Sequence, residues 1–387
     1  VTTSSLWSPA LLRILLAQLA FGFSWCLYLV APKYFATALA LGPAGIGSVA
    51  MTASTVSAAS VLLLVRSIDR ARRRVFVRGC LLLALSSLGY LFVERFGPLV
   101  YVLQAGVAAS YVMAFNAAMA AVTDVVPASR LGQAFGLQSA ANLSMNAVSS
   151  MTAEHIAQAY GWRWVFALAA ASAVLALLLG LGLPAPRAVD ASTETQLAPP
   201  YRALATIYTA AALLGATYVA MAIFHQPYAL SLGTERVSSF FVGFTCAALF
   251  MRLGFGNLGD RFGRKAVALA SCALYVLVVV SMVWLDASQL WLYGAGFGLA
   301  HGVLYPTLIA FATERAPAGT EGRTIAAFSG AFNVGAAAGA AGWGALSTAR
   351  GYPSLFVGAG LCMLAACACL SRTPRQSHLE PREHGLR

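Results

Sequence analysis

Apolar runs of about 20 residues, each long enough to cross a bilayer core as a helix, recur along the whole chain. They fall at roughly 10–30, 45–65, 75–93, 98–122, 131–153 and 163–183, then at 204–230, 238–258, 266–285, 289–312, 323–346 and 352–371. Polar residues gather in the short breaks between them. One longer polar interval, from Pro184 to Tyr201, carries prolines, Ser, Thr, Asp190 and Glu194. This pattern predicts an all-α membrane protein with twelve transmembrane helices. It divides into a six-helix bundle over 1–184, a cytoplasmic linker over 185–203, a second bundle over 204–372 and a polar tail over 373–387.

The two halves repeat. Thr123-Asp124-x-x-Pro127-Ala128 returns as Thr313-Glu314-x-x-Pro317-Ala318, and in the same register Gly132 meets Gly322, Gly161 meets Gly351 and Phe166 meets Phe356. Asp69-Arg70 returns one residue out of that register as Asp260-Arg261. A direct repeat in one orientation predicts two pseudo-symmetric bundles related by an axis along the membrane normal, with a shared site near mid-depth.

Composition narrows the class. Only 10% of residues are charged and 59% are hydrophobic, with a mean hydropathy of +0.75; a soluble domain carries about 25% charged residues. The net charge of +12 would suggest nucleic acid in a soluble protein. Here the basic residues cluster between apolar runs, which is a mark of membrane topology, and no nucleic-acid partner is expected. With the N-terminus inside, 20 of the 25 Lys and Arg fall on the cytoplasmic side. That predicts an inner-membrane protein with both termini cytoplasmic, leaving Lys33, Arg95, Arg163, Arg236 and Arg350 outside. The first apolar run is read as a span, since it is too long for a signal peptide and lacks a cleavage site. Seven cysteines all sit in apolar segments without zinc spacing, so neither a metal nor a cofactor is expected. No phosphate-binding loop or nucleophile elbow is present, so the chain is not expected to be an enzyme or ATP-driven.

The densest charge lies in Gly256-Asn257-Leu258-Gly259-Asp260-Arg261-Phe262-Gly263-Arg264-Lys265. An ordinary positive-inside loop is one reading. The spacing G-x-x-x-D-R-x-G-R-K also resembles the loop signature of the major facilitator superfamily of secondary transporters, and the spans, linker and repeat extend that resemblance over essentially the whole chain. The resemblance implies a gating latch made of Gly256, Asp260, Arg261, Gly263, Arg264 and Lys265. Asp260 would face the start of span five near Leu131 and Gly132, and Arg261 would pair with Glu314. By the repeat, Asp69 would face span eleven near Gly322, with Arg70 close to Asp124. The first copy, Val65 to Arg74, has valine and arginine at the two glycine positions. Span five lacks the Gly-Pro signature of drug–proton antiporters, span four offers Gln104 where an arginine is usual, and span one has no central acid. The usual marks of a cationic-drug exporter are therefore missing.

Polar groups inside hydrocarbon are costly and face the bundle interior. The substrate-binding candidates are Gln18 and Trp25 of span one, Gln104 and Tyr111 of span four, and Gln138 and Asn142 of span five. The second half adds Tyr218, His225, Arg252, His301 and Tyr305. Each has a structural alternative: the amides as helix bridges, Arg252 as a snorkelling side chain, and the histidines as core groups. His225, His301 and Glu154 are the proton-coupling candidates, with Glu154 expected at the outer end of span five. Gly335, Gly339 and Gly342 read as close helix packing. The expectation is a monomeric secondary transporter of a small organic molecule, working in the lipid bilayer by alternating access, with protons driving efflux of a metabolite or toxic compound. The alternatives are proton-coupled uptake of a small organic anion and a receptor built on a transporter fold.

Overall fold

The computed structural model describes residues 8–127, 130–184, 204–255, 258–317 and 320–373, with the backbone alone for 65–70 and 260. The expected linker 185–203 and the tail beyond Thr373 lie outside the described residues. In hydrocarbon every backbone N–H and C=O must be satisfied within the segment, and a helix does this by itself. Twelve helices of spanning length result among the described residues. Helix α1 is Pro9–Thr37, tightened into a 3-10 turn at Leu27–Val30. One helical stretch, Pro43–Tyr90, supplies α2 and α3 as two arms that meet at Ala71 (φ −145°, ψ 43°). The first half continues with α4 (Pro98–Val125), α5 (Leu131–Tyr160) and α6 (Trp162–Leu181). The second comprises α7 (Ala205–Ser231), α8 (Ser238–Phe255), α9 (Arg264–Trp284), α10 (Leu290–Glu314), α11 (Glu321–Arg350) and α12 (Tyr352–Arg372).

The repeat is visible in the backbone. Gly161 and Gly351, at φ 90° and 81°, open α6 and α12 in the same left-handed conformation. The two charged segments differ. Gly263, at φ 83°, turns the chain from a short helix, Leu258–Phe262, into α9. Arg72 holds the corresponding place in the first half, and a residue with a Cβ does not readily take that conformation. The break expected between spans two and three falls at Ala71, whose non-helical backbone kinks the chain between the two helices.

Within the first half α1 packs on α4, α5 and α6; within the second α7 packs on α11 and α12. The halves meet where α2 lies against α11 and α5 against α8. Small residues set the closest approaches: a Cβ on Gly47 would sit 2.4 Å from the Ala340 carbonyl oxygen. On Gly335 it would sit 1.8 Å from that of Ala212, and on Gly339 2.7 Å from the Cα of Ala216. Gly342 departs from the expected packing series, since nothing lies within 4 Å of its Cβ position.

Arg13, Arg72, Arg264 and Lys265 cluster at what we term the basic end; the opposite side is the far end. At the far end Gly47 and Gly344 touch, and the Ala44 amide donates to the Thr348 hydroxyl at 3.2 Å. Toward the basic end, open space surrounds the Cβ positions of Gly132 and Gly136 on α5 and of Gly322 and Gly330 on α11. The halves touch at the far end through Gly47, Gly344 and the Ala44–Thr348 bond.

Candidate functional site

Eight of the predicted polar and aromatic residues converge between the halves. From the first half, the Trp25 ring packs on Tyr111 at 4.3 Å and Tyr111 stacks on Phe115 at 5.1 Å. From the second, His301 lies 4.9 Å from Tyr218 and 5.6 Å from Tyr305, while Phe332 closes on both tyrosines. These walls face each other: Tyr111 lies within electrostatic reach of Tyr218, Tyr305 and Arg252. Arg252 donates to the Ser139 hydroxyl across the α5–α8 contact, and its charge reaches Tyr111 and His301. Asn142 accepts from the Gln18 amide at 3.4 Å. The Trp25 indole N–H and the His301 Nδ1 are buried without a hydrogen-bond partner among the described residues. Among the described residues, this cluster brings together the cation of Arg252, several donors and two aromatic walls. The described carboxylates lie toward helix ends or in turns.

Three candidates sit elsewhere or deeper. Gln104 accepts from the Tyr90 hydroxyl at 2.9 Å, in an aromatic cluster with Tyr28, Tyr34 and Phe166. Gln138 is fully buried, with neither amide atom partnered among the described residues. His225 is buried with Nδ1 2.5 Å from the Met221 carbonyl, its ring stacked on Phe240 at 3.9 Å. It follows a π-helical turn at Ala220–Phe224, in the segment where Pro227 withdraws one donor. His225 and His301 are separated by the intervening rings of Phe240 and Phe297, whose centroids are 5.8 Å apart.

Glu154 is not at the outer surface as expected. Helix α5 runs on to Tyr160, and Glu154 is only 3% exposed. Lys33, expected in an outer loop, lies inside α1 and pairs with it at 2.5 Å. Across the halves, the amides of Val237 and Ser238 at the start of α8 donate to Glu154 at 2.9 and 3.0 Å, and the Ser238 hydroxyl adds a third bond. Lys33 also donates to the Glu235 carbonyl, and its own amide donates to Gln226 at 3.3 Å. A buried ion pair is tolerated here because its remaining capacity is filled, and a helix N-terminus favours the carboxylate. Lys33, Gln226 and Ser139 were not among the predicted site residues. A lysine within an apolar run was the available signal for the first.

A model of the Major Facilitator Superfamily matches residues 14–233 and 204–386. The chain belongs to the major facilitator superfamily. Solved structures of this fold superpose over nearly the full length. The nucleoside transporter NupG covers 94% of this chain and 99% of its own at TM-score 0.72 and 15% identity. The peptide transporter POT in complex with sulfate covers 94% of each at TM-score 0.77 and 14% identity. The human organic anion transporter MFSD10 (TETRAN) covers 94% of this chain and 100% of its own at 0.66 and 13%. In sequence, a probable anion transporter 2, chloroplastic, of Oryza sativa subsp. japonica is 29% identical over 157 residues, which is 38% of this chain and 29% of that relative's length.

Among the described residues of this superfamily member, the charged segments show two ion pairs. Glu314 pairs with Arg264 at 2.9 Å, three residues beyond Arg261. Asp124 pairs with Arg72 at 2.7 Å, and Arg72 also donates to the Ala120 carbonyl and Thr123 hydroxyl at 2.8 and 3.1 Å. The two acids occupy equivalent places in the repeat, while the arginines are one place out of register, since Arg72 aligns with Gly263. In both halves the paired arginine directly follows the bend or turn, at Ala71 and at Gly263. Lys265 donates to the carbonyls of Ser371 and Thr373, placing a cation at the end of α12, and Arg13 does the same at Gly182 beyond α6. Gly256 and the side chains of Asp69, Arg70 and Asp260 lie outside the described residues.

Proposed function

We propose that this transporter carries a small organic anion through the chamber between its halves, with its basic end facing the cytoplasm and the membrane being the inner membrane. The observation that carries the reading is Arg252, which bonds Ser139 and whose charge reaches Tyr111 and His301 of the aromatic cluster without a described carboxylate beside it. Arginine is a fixed cation with a planar donor array suited to a carboxylate or phosphate. Two similar proteins, a probable anion transporter and an organic anion transporter, agree with it. The excess of positive residues supports the orientation.

Charge then bears on direction. An inside-negative potential favours exit of an anion by about 2.3 kcal/mol per charge at 100 mV, so uptake needs an accompanying proton. Proton-coupled uptake is the reading adopted; efflux of a metabolite is the opposite outcome of the same test. Thermal-shift measurement with matched carboxylates, phosphates, neutral amides and amines is expected to show stabilisation of the purified protein by anions alone, lost in Arg252→Ala. Stabilisation by a neutral or cationic compound that survives Arg252→Ala removes the reading. In vesicles, flux of the selected anion that follows an imposed pH gradient inward supports uptake, and outward flux indifferent to pH supports export.

A further inference from the structure

Helices α9 and α10 form a hairpin that turns at the far end through residues 285–289. Its inner face is packed, with Tyr275, Val279 and Met282 of α9 and Phe297 of α10 buried. Its outer face holds Leu277 and Trp284 of α9, 68% and 74% exposed, with Trp291 and Leu292 of α10 also exposed. On a membrane-spanning hairpin such a face meets lipid, and a tryptophan near the helix end sits at headgroup level. Between the two helices on this face lies a groove of about 200 Å³, lined by Val278, Ser281, Gln289, Leu292, Tyr293 and Gly296. A Cβ on Gly296 would lie 2.9 Å from a Val278 methyl, so the missing side chain lets α9 and α10 close at the groove's inner end.

A face that meets only acyl chains has no use for Ser281, Gln289 and Tyr293, since polar groups in hydrocarbon are costly. The Ser281 hydroxyl donates to the Val278 carbonyl at 2.8 Å. The Tyr293 hydroxyl donates to the Trp284 carbonyl at 3.1 Å and accepts from the Asp286 amide at 3.3 Å, which fixes Asp286 at the mouth of the groove. The Asp286 carboxylate accepts from the Ser288 hydroxyl and amide at 2.7 and 3.0 Å, and these bonds hold its pKa below the usual carboxylate range. The mouth is therefore anionic, and no Lys or Arg lines the groove or lies in its loop. Size decides the kind of occupant. Pockets that enclose a small ligand measure about 300–1,000 Å³, so a smaller groove open along one side suits part of a longer molecule.

We infer that the α9–α10 groove binds one phospholipid whose zwitterionic headgroup ends in a primary amine. One acyl chain lies along Val278, Leu292 and Gly296, the Gln289 amide donates to the phosphate, and the ammonium sits on Asp286. A carboxylate has about four acceptor positions, and Ser288 fills two, so capacity remains for ammonium N–H groups. Trp284 and Trp291 flank the glycerol level with amphipathic rings. An anionic headgroup brings no cation to Asp286 and is repelled by it. A quaternary ammonium brings the charge without an N–H to donate. The site belongs to the lipid face of the second half, so the inference is independent of the cargo and of its direction.

The test uses the full chain in vesicles of equal parts phosphatidylethanolamine, phosphatidylglycerol and phosphatidylcholine, and counts retained lipid by native mass spectrometry. The parent is expected to keep a phosphatidylethanolamine about two- to fivefold over either competitor, the range that an exposed ion pair supports. Asp286→Asn keeps an acceptor for Ser288 and removes only the charge, so the fold persists while the preference falls to parity. Ser281→Phe fills the groove and should lose the retained lipid itself. Equal retention of the three lipids by the parent, or a preference that survives Asp286→Asn, overturns the inference. Phosphatidylcholine held as well as phosphatidylethanolamine overturns the amine as the recognised group. A lipid-free dimer of the parent overturns the site, since a second copy would then cover this face.

Discussion

Arg252 of α8 donates to the Ser139 hydroxyl of α5, so the cation assigned to the proposed anion already has a neutral partner. An anion entering the chamber has to displace that hydroxyl. A hydrogen bond to a charged group contributes about 1.5–3 kcal/mol, part of which the anion forgoes while Ser139 competes. Ser139→Ala is therefore expected to lower the half-saturation concentration for the transported anion about three- to tenfold. Titration of binding by intrinsic fluorescence on purified protein checks this. An unchanged or raised value would mean that Ser139 positions Arg252 for the substrate instead of competing with it.

The two ion pairs, made by equivalent acids of the two halves, differ in burial, and that difference predicts unequal consequences. Arg72 and Asp124 have side-chain exposures of 10% and 8%; Arg264 and Glu314 have 26% and 41%. Removing one partner of a buried pair strands the other charge and costs about 3–5 kcal/mol, whereas an exposed pair contributes about 0–1 kcal/mol. Asp124→Asn should therefore destabilise strongly and Glu314→Gln hardly at all. Equilibrium unfolding in mixed micelles gives both values. Equal losses would show that the repeat, and not local burial, sets the strength of these contacts.

The fold was legible because hydrocarbon imposes it. Each apolar run had to become a helix, and the register of Thr123-Asp124 with Thr313-Glu314 reported the duplication. The interior charges were harder to place. A lysine at 33 and a glutamate at 154 read as span boundaries, because an isolated charge in an apolar run is costly. Only the three-dimensional fold brings them together across 121 residues, where each cancels the other's cost. Gln138, Asn142 and Asn146 were visible as a polar group, but their partners were not: Asn142 and Asn146 meet Gln18 and Cys26 of α1 only in the fold. The pairings at Arg72 and Arg264 depend on where helices bend, and nothing in residue type alone fixes a bend at Ala71.

Close packing supplies the last prediction. On α8, a Cβ at Gly243 would lie 1.9 Å from the Trp291 carbonyl oxygen of α10, a backbone atom that cannot swing aside. On α11, nothing lies within 4 Å of the Cβ position of Gly342. Alanine is better than glycine in a helix by about 0.5–1 kcal/mol, and that gain is available only where the methyl group has room. Overpacking a tight contact costs about 1–3 kcal/mol or more, because the helices must separate along their length. Gly243→Ala is therefore expected to lower the unfolding midpoint, while Gly342→Ala should leave it unchanged or raise it. The same denaturation assay separates the two. A loss at Gly342 would mean that this face of α11 is covered, for instance by a second copy of the chain in the membrane.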